Sequence, residues 1–211
     1  MGFDPITVIA SLVALVLSLT LHEFAHALMG HYLGDTTARD QGRLTINPLA
    51  HIDPFTTLAL PLMLILLHSP VVFGAAKPVP FNPWAVRGGR WGAAAVALAG
   101  PFTNLLLAIF FGLWMRFAPM SVLSEQFLGA LVAINVAFFV FNMIPFPPLD
   151  GSRLLYAVAP SAVREVMDRI EQAGLMLLFF IMLIGYPLIS PLVAKVVFAI
   201  MALIVPTGPL P

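Results

Sequence analysis

A short metal-binding pattern lies inside a stretch of sequence long and apolar enough to cross a membrane, and this pairing restricts the fold more than any other feature. His22-Glu23-Phe24-Ala25-His26 closes an apolar run that begins at Ile6. On a helix, residues four apart lie on one face, so His22 and His26 can grip a single metal. Glu23 sits about 100° further round the 3.6-residue repeat, where it can reach a metal-bound water without being a ligand. Ionisable groups in a bilayer cost roughly 2.5–3.5 kcal/mol each on insertion scales, so three in one turn call for a compensating partner. A metal is the simplest one.

The rest of the composition agrees with a membrane protein. Of the 211 residues, 60% are hydrophobic and only 9% charged, a balance that excludes an ordinary soluble globule. The length accommodates five or six apolar segments of about 20 residues and no sizeable soluble domain. A formal net charge of zero gives no support to a nucleic-acid-binding surface. With no cysteine, thiolate ligands and a cysteine nucleophile are excluded. The start Met1-Gly2-Phe3-Asp4-Pro5 lacks the basic region of a signal peptide, so the first apolar run reads as a retained span.

The expected fold is an all-α polytopic membrane protein with five or six hydrophobic segments and a small re-entrant or β-like membrane-associated element. It reads as one domain over 1–211, with a core at about 5–155 followed by an interfacial helix and a helical hairpin at about 160–206. A first helix from about 5 to 32 should stop near Gly34. The alternation Leu44-Thr45-Ile46 suggests a short strand or hairpin. Residues 55–73 are apolar but interrupted by Pro61, His68 and Pro70. Strong spans cover 91–117 and 127–144, and residues 161–174 are amphipathic and charged. Two further apolar segments, 175–186 and 188–205, are separated by Gly185-Tyr186-Pro187, which predicts a hairpin.

Basic residues orient the chain. Arg39, Arg43, Lys77, Arg87, Arg90, Arg153, Arg164 and Arg169 fall in loops that can share one side, with Arg116 and Lys195 as exceptions. By the positive-inside rule that side is cytoplasmic. The segment 55–73 then cannot make one full crossing, and a re-entrant or interfacial path follows, as tolerated where irregular backbone lines a cavity. This orientation brings His22, His26, Gly100 and Asp150 to one depth.

A catalytic zinc takes three protein ligands and keeps a position for water. Asp150 is the best third ligand: Pro145, Pro147 and Pro148 break the preceding helix and Gly151 lets the chain turn. His51 and Asp53 are alternatives, although their proline-flanked loop reads as structural. His31 and His68 read as interfacial, and Asn104 either lines the site or bonds between helices.

Three motifs carry a resemblance. His22-Glu-Phe-Ala-His26, Gly100-Pro-Phe-Thr-Asn104 and Asn142-Met-Ile-Pro-Phe-Pro-Pro-Leu-Asp150-Gly151 are similar, in order, to those of the site-2 protease family of intramembrane zinc metalloproteases. The segments 43–54 and 76–80 resemble its compact prokaryotic members, which lack PDZ and CBS modules. The likeness covers most of 15–155. It implies a zinc metalloendopeptidase, with one Zn²⁺ per chain, acting in regulated intramembrane proteolysis. It would cleave transmembrane segments of membrane-protein substrates from within the bilayer of a prokaryotic cell membrane, near the cytoplasmic face. By the same resemblance His22, His26 and Asp150 are ligands, Glu23 is the base, and Asn142 binds substrate backbone or stabilises the oxyanion. Asn104, Pro145 and Pro147 are further candidate substrate contacts, and the Pro-rich 74–83 segment is a candidate for strand-like pairing with substrate. The competing expectations are a membrane metal-ion transporter using the same cluster and a zinc peptidase with Glu165 as third ligand.

Overall fold

The computed structural model describes residues 5–67 and 74–205. Among these residues the secondary structure is entirely helical. The helices are α1 (Pro5–Tyr32), α2 (Thr37–Asp40), α3 (Leu60–Leu66), α4 (Gly89–Phe117), α5 (Val122–Asn142), α6 (Gly151–Val158) and α7 (Ser161–Ile204). Among the described residues four helical stretches are long and apolar enough to cross a membrane: Ile6–Tyr32, Gly89–Phe117, Val122–Asn142 and Leu183–Ile204. Of the five or six hydrophobic segments expected, the described helical part of 55–73 is a shorter apolar piece, and the two at 175–186 and 188–205 form one helix and not a hairpin.

The reason is local. Pro187 and Pro191 lie inside α7, and the only left-handed break in that helix is at Gly174, with φ 65°. Glycine carries no Cβ penalty there, so the chain bends at Gly174 and leaves Gly185-Tyr186-Pro187 helical. The amphipathic 161–174 piece and the last apolar span are therefore two arms of one bent helix.

The core of the bundle is made by α1, α4 and α5. On α4, Gly92, Ala93, Ala94, Ala97, Gly100 and Ala108 are buried, so small residues face the other helices, the usual device for close approach of membrane helices. Ala108, Val132, Val136 and Val140 form an apolar cluster covered by Val193, Val197, Ile200 and Ile204 of α7. The rest of the last span faces outward, as expected of a lipid-facing helix.

The connections set the site. The chain leaves α1 at Gly34, φ 107°, a stop the sequence signals. The expected strand at 44–46 does not form. Instead the Thr45 carbonyl accepts from His51 Nε2 at 2.8 Å, and the Asn47 amide bonds the Thr45 hydroxyl at 3.1 Å, so local side chains take the groups a strand would have paired. A π-helical turn at Pro54–Ala59 leads into α3. The two together are too short for a crossing of about 30 Å at about 1.5 Å per residue. The Ala75 amide donates to the Thr56 carbonyl at 3.1 Å, and the Thr57 hydroxyl to the Ala75 carbonyl at 2.7 Å. The two ends of this excursion thus meet. His68 lies outside the described residues.

Residues 75–82 then run as an extended strap across the cytoplasm-predicted end of α1. The amide of Lys77 bonds the His51 carbonyl at 3.0 Å. Arg43, itself buried, holds the Lys77 and Pro78 carbonyls through Nη2 at 2.5 and 3.2 Å. Asp35 pins the far end by accepting from the Asn82 amide at 2.8 Å. Burial works against its charge, yet that amide and Thr37 hold its carboxyl below the usual carboxylate range.

Candidate metal centre

His22 and His26 leave α1 on one face, and α4 and the loop before α6 close over them. Their Nε2 atoms are 2.9 Å apart. Asp150 Oδ2 lies 3.2 Å from His22 Nε2 and 3.4 Å from His26 Nε2. A tetrahedral zinc with bonds of about 2.0–2.1 Å separates its ligand atoms by about 3.3 Å, so the spacing of the three donors suits that ion. His22 is buried, while His26 and Asp150 are half-buried.

Tautomers sharpen the fit. His26 Nδ1 is 2.8 Å from the Val96 carbonyl, which can only accept, so Nδ1 carries the proton. The neutral ring then turns a bare lone pair at Nε2 towards His22 and the Asp150 carboxylate. Lone pairs and a carboxylate this close repel unless a proton or a metal cation lies among them.

Gly100 explains how α4 comes so close. A Cβ built there would lie 2.6 Å from His26 Cε1 and 2.7 Å from His22 Cε1, and would overlap His26 Nε2. The small-residue face read in the sequence as helix packing is, at this position, packing against the donor rings. Gly151 does the equivalent beside Asp150, since a Cβ built there would overlap the Met143 carbonyl and lie 2.9 Å from the Ile144 carbonyl oxygen.

The other predicted residues take different places. Glu23, next to His22 on α1, is buried, and its Oε2 accepts from the Val79 amide of the strap at 3.1 Å. Asn142 ends α5, and its Nδ2 donates back to the Phe138 carbonyl at 3.1 Å. Pro145 is exposed but Pro147 is buried, because the loop folds on itself through Phe146 to Ile144 and Leu149 to Phe146 hydrogen bonds of 2.8 and 2.9 Å. Asn104 is fully buried with both ends of its amide engaged. Asn104 and Pro147 are thus both buried in this structure. His51 and Asp53 are not drawn into the cluster: His51 bonds Thr45, and Asp53 caps the turn at Pro54–Ala59. Along the strap the Lys77 amide donates to the His51 carbonyl and the Val79 amide to Glu23, and Pro78 and Pro80 have none. The Val79 amide on Glu23 is a contact that no sequence motif announces.

Two imidazoles and one carboxylate with a glutamate alongside match the donor set of hydrolytic zinc sites, here carried on helices long and apolar enough to span a membrane. Comparison with known proteins places it further. Residues 118–185 match the profile of Peptidase family M50. The Bacillus subtilis protein named "Putative zinc metalloprotease YwhC" is 37% identical over 186 residues, covering 83% of this chain and 80% of that protein. Rip2 of Mycolicibacterium smegmatis is 34% identical over 138 residues, 64% of this chain and 52% of that protein, so the chain spans about half of Rip2. Protein MJ0611 of Methanocaldococcus jannaschii is 45% identical over 62 residues, 28% of this chain and 31% of that protein. No solved structure matches the chain significantly. The chain belongs to peptidase family M50, the site-2 protease family, and is by class a multi-pass membrane zinc metalloprotease.

Proposed function

We propose that this protein hydrolyses peptide bonds within transmembrane segments of other membrane proteins, near the cytoplasmic face of a prokaryotic cell membrane. The observation that carries the reading is the convergence of His22 Nε2, His26 Nε2 and Asp150 Oδ2 within 4.8 Å of one another at one end of the membrane helix that also bears Glu23. In this reading the three residues hold one zinc per chain, which supplies Lewis acidity and brings a water towards neutral pKa. Glu23, held by the Val79 amide, takes the proton from the attacking water and returns it to the leaving amine. Membership in a peptidase family sets aside the transporter reading, and the pairing of Asp150 with both histidines supports it over Glu165 as third ligand.

The test is co-expression with tagged single-span membrane proteins. Wild-type protein should give processed products, and Glu23→Gln should retain zinc but lose about 10²–10⁴ in rate, the usual worth of a general base. Equal processing by both forms would remove Glu23 from the chemistry.

Asn142 is read as an oxyanion or substrate-backbone donor at the end of α5. Its amide must then leave the Phe138 carbonyl when substrate arrives. Removing one such donor typically costs about 10²–10³ in rate, so Asn142→Ala should keep zinc and folded yield yet cleave that much more slowly. Wild-type rates in Asn142→Ala would refute the role, and loss of folded protein would show a structural one.

The meeting of Thr56 with Ala75 supports a re-entrant path for 55–73, with 34–54 and 77–90 both cytoplasmic. Because the chain has no cysteine, single cysteines at Arg43 and Arg87 should both label from the cytoplasmic side. Labelling from opposite sides would show a full crossing between them.

A further inference from the structure

Behind His22 lies a run of buried polar side chains that the proposed chemistry does not use. His22 Nδ1 is 2.6 Å from Asn104 Oδ1 on α4. Asn104 Nδ2 is 2.7 Å from Asn135 Oδ1 on α5 and 3.3 Å from the Ser18 carbonyl on α1. Asn135 Nδ2 in turn reaches the Ser18 hydroxyl and the Leu131 carbonyl, each at 2.8 Å. Asn104 and Asn135 are fully buried and Ser18 is 1% exposed. Three helices thus share one polar knot, one turn along α1 from the donor cluster.

We infer that Asn104, oriented by Asn135 and Ser18, is a positioning residue that fixes the tautomer and ring plane of His22 for metal binding. The direction of every bond follows from groups with only one role. The Leu131 carbonyl can only accept, so the Asn135 nitrogen faces it and its oxygen faces Asn104. The Ser18 carbonyl can only accept, so the nitrogen of Asn104 turns towards it and towards Asn135. Only the oxygen of Asn104 is left for His22, and Nδ1 must carry the proton. The lone pair at His22 Nε2 is then free on the side of His26 and Asp150.

The geometry explains why such residues are buried in a membrane bundle. An unpaired amide in an apolar interior costs several kcal/mol, and here each polar group has a partner. The arrangement parallels His26, whose Nδ1 is fixed by the Val96 carbonyl. One ring is thus held by a backbone group that substitution cannot remove, the other by a side chain that it can. Residues that orient a metal-ligating histidine typically contribute 10–100-fold to metal affinity.

This inference rests on the reading of the cluster as a zinc site, and it is tested on metal binding and on the ring itself. Chelator competition on purified protein should show zinc bound about 10–100-fold more weakly by Asn104→Leu than by wild type. Asn135→Ala leaves the His22 contact but frees the Asn104 amide to flip, and should show a smaller loss in the same direction. In metal-free protein labelled with ¹⁵N-histidine, His22 should be the Nδ1–H tautomer in wild type and a mixture in Asn104→Leu. A packing role alone would lower folded yield without moving the tautomer. If Asn104→Leu does not fold, Asn135→Ala decides by the same two readouts. Zinc affinity and a His22 tautomer unchanged in the folded variant would overturn the inference. A wild-type protein that binds no zinc would instead overturn the zinc-site reading beneath it.

Discussion

Gly100→Ala is expected to give a folded protein that holds less than about a tenth of the zinc of wild type and has no measurable proteolysis. The added methyl would lie 2.6 and 2.7 Å from the Cε1 atoms of His26 and His22, where about 3.5–4.0 Å is the optimal separation of carbon atoms. The rings have little freedom to yield, because each is tied at Nδ1, His26 to the Val96 carbonyl and His22 to Asn104. Relief comes from swinging both rings off the metal or from parting α4 from α1. Overpacking of this kind costs about 1–3 kcal/mol, which a bundle with its apolar core elsewhere can absorb, whereas ligand geometry cannot. The matched control is Gly129→Ala on α5, whose nearest side-chain atom is Met115 Cε at 4.0 Å. It should keep zinc and activity. Metal analysis of the two variants decides the matter, and a full complement of zinc in Gly100→Ala would mean the helices adapt at that point.

What could be read in the sequence follows a physical line. His22, Glu23 and His26 were legible because the helix repeat alone places them, and Asp150 because a proline break followed by glycine marks a chain turning at the end of a span. The long apolar helices were legible for the same reason: in a membrane the backbone must satisfy itself, and helices do so locally. The knot behind His22 was not. Ser18, Asn104 and Asn135 are linked across separations of up to 117 residues, and only the packing of three helices brings them together. Asn104 accordingly reads as a substrate contact or interhelical bond in sequence and proves to be buried against His22. The end of the chain misled for a different reason. Gly185-Tyr186-Pro187 looks like a turn, but a proline within a membrane helix can be tolerated, and the bend falls at Gly174, the glycine that takes up positive φ. At Leu44-Thr45-Ile46, two-residue alternation called for a strand, but alternation cannot supply a partner, and the His51 ring and the Thr45 hydroxyl took the Thr45 carbonyl and the Asn47 amide instead.

The second large effect is expected at Gly151, the residue after the third donor. A Cβ there would overlap the Met143 carbonyl oxygen and lie 2.6 Å from its carbon and 2.9 Å from the Ile144 carbonyl oxygen. These are backbone atoms of the turn that ends α5, and unlike the tip of a flexible side chain they cannot step aside alone. Gly151→Ala must therefore push the start of α6 away from the end of α5. Asp150, one residue earlier, moves with it, while His22 and His26 on α1 stay in place. Changes to residues that only orient a metal ligand cost about 10–100-fold in affinity. Displacing a ligand itself should reach at least the upper end of that range, with proteolysis lost in parallel. Asp150→Ala removes the same donor without moving the backbone and should show a similar loss of zinc. Agreement of the two would tie the glycine to the placement of Asp150. Zinc retained in Asp150→Ala but lost in Gly151→Ala would show that the turn supports some other ligand, and wild-type affinity in Gly151→Ala would show that the turn opens without carrying Asp150 away from the two histidines.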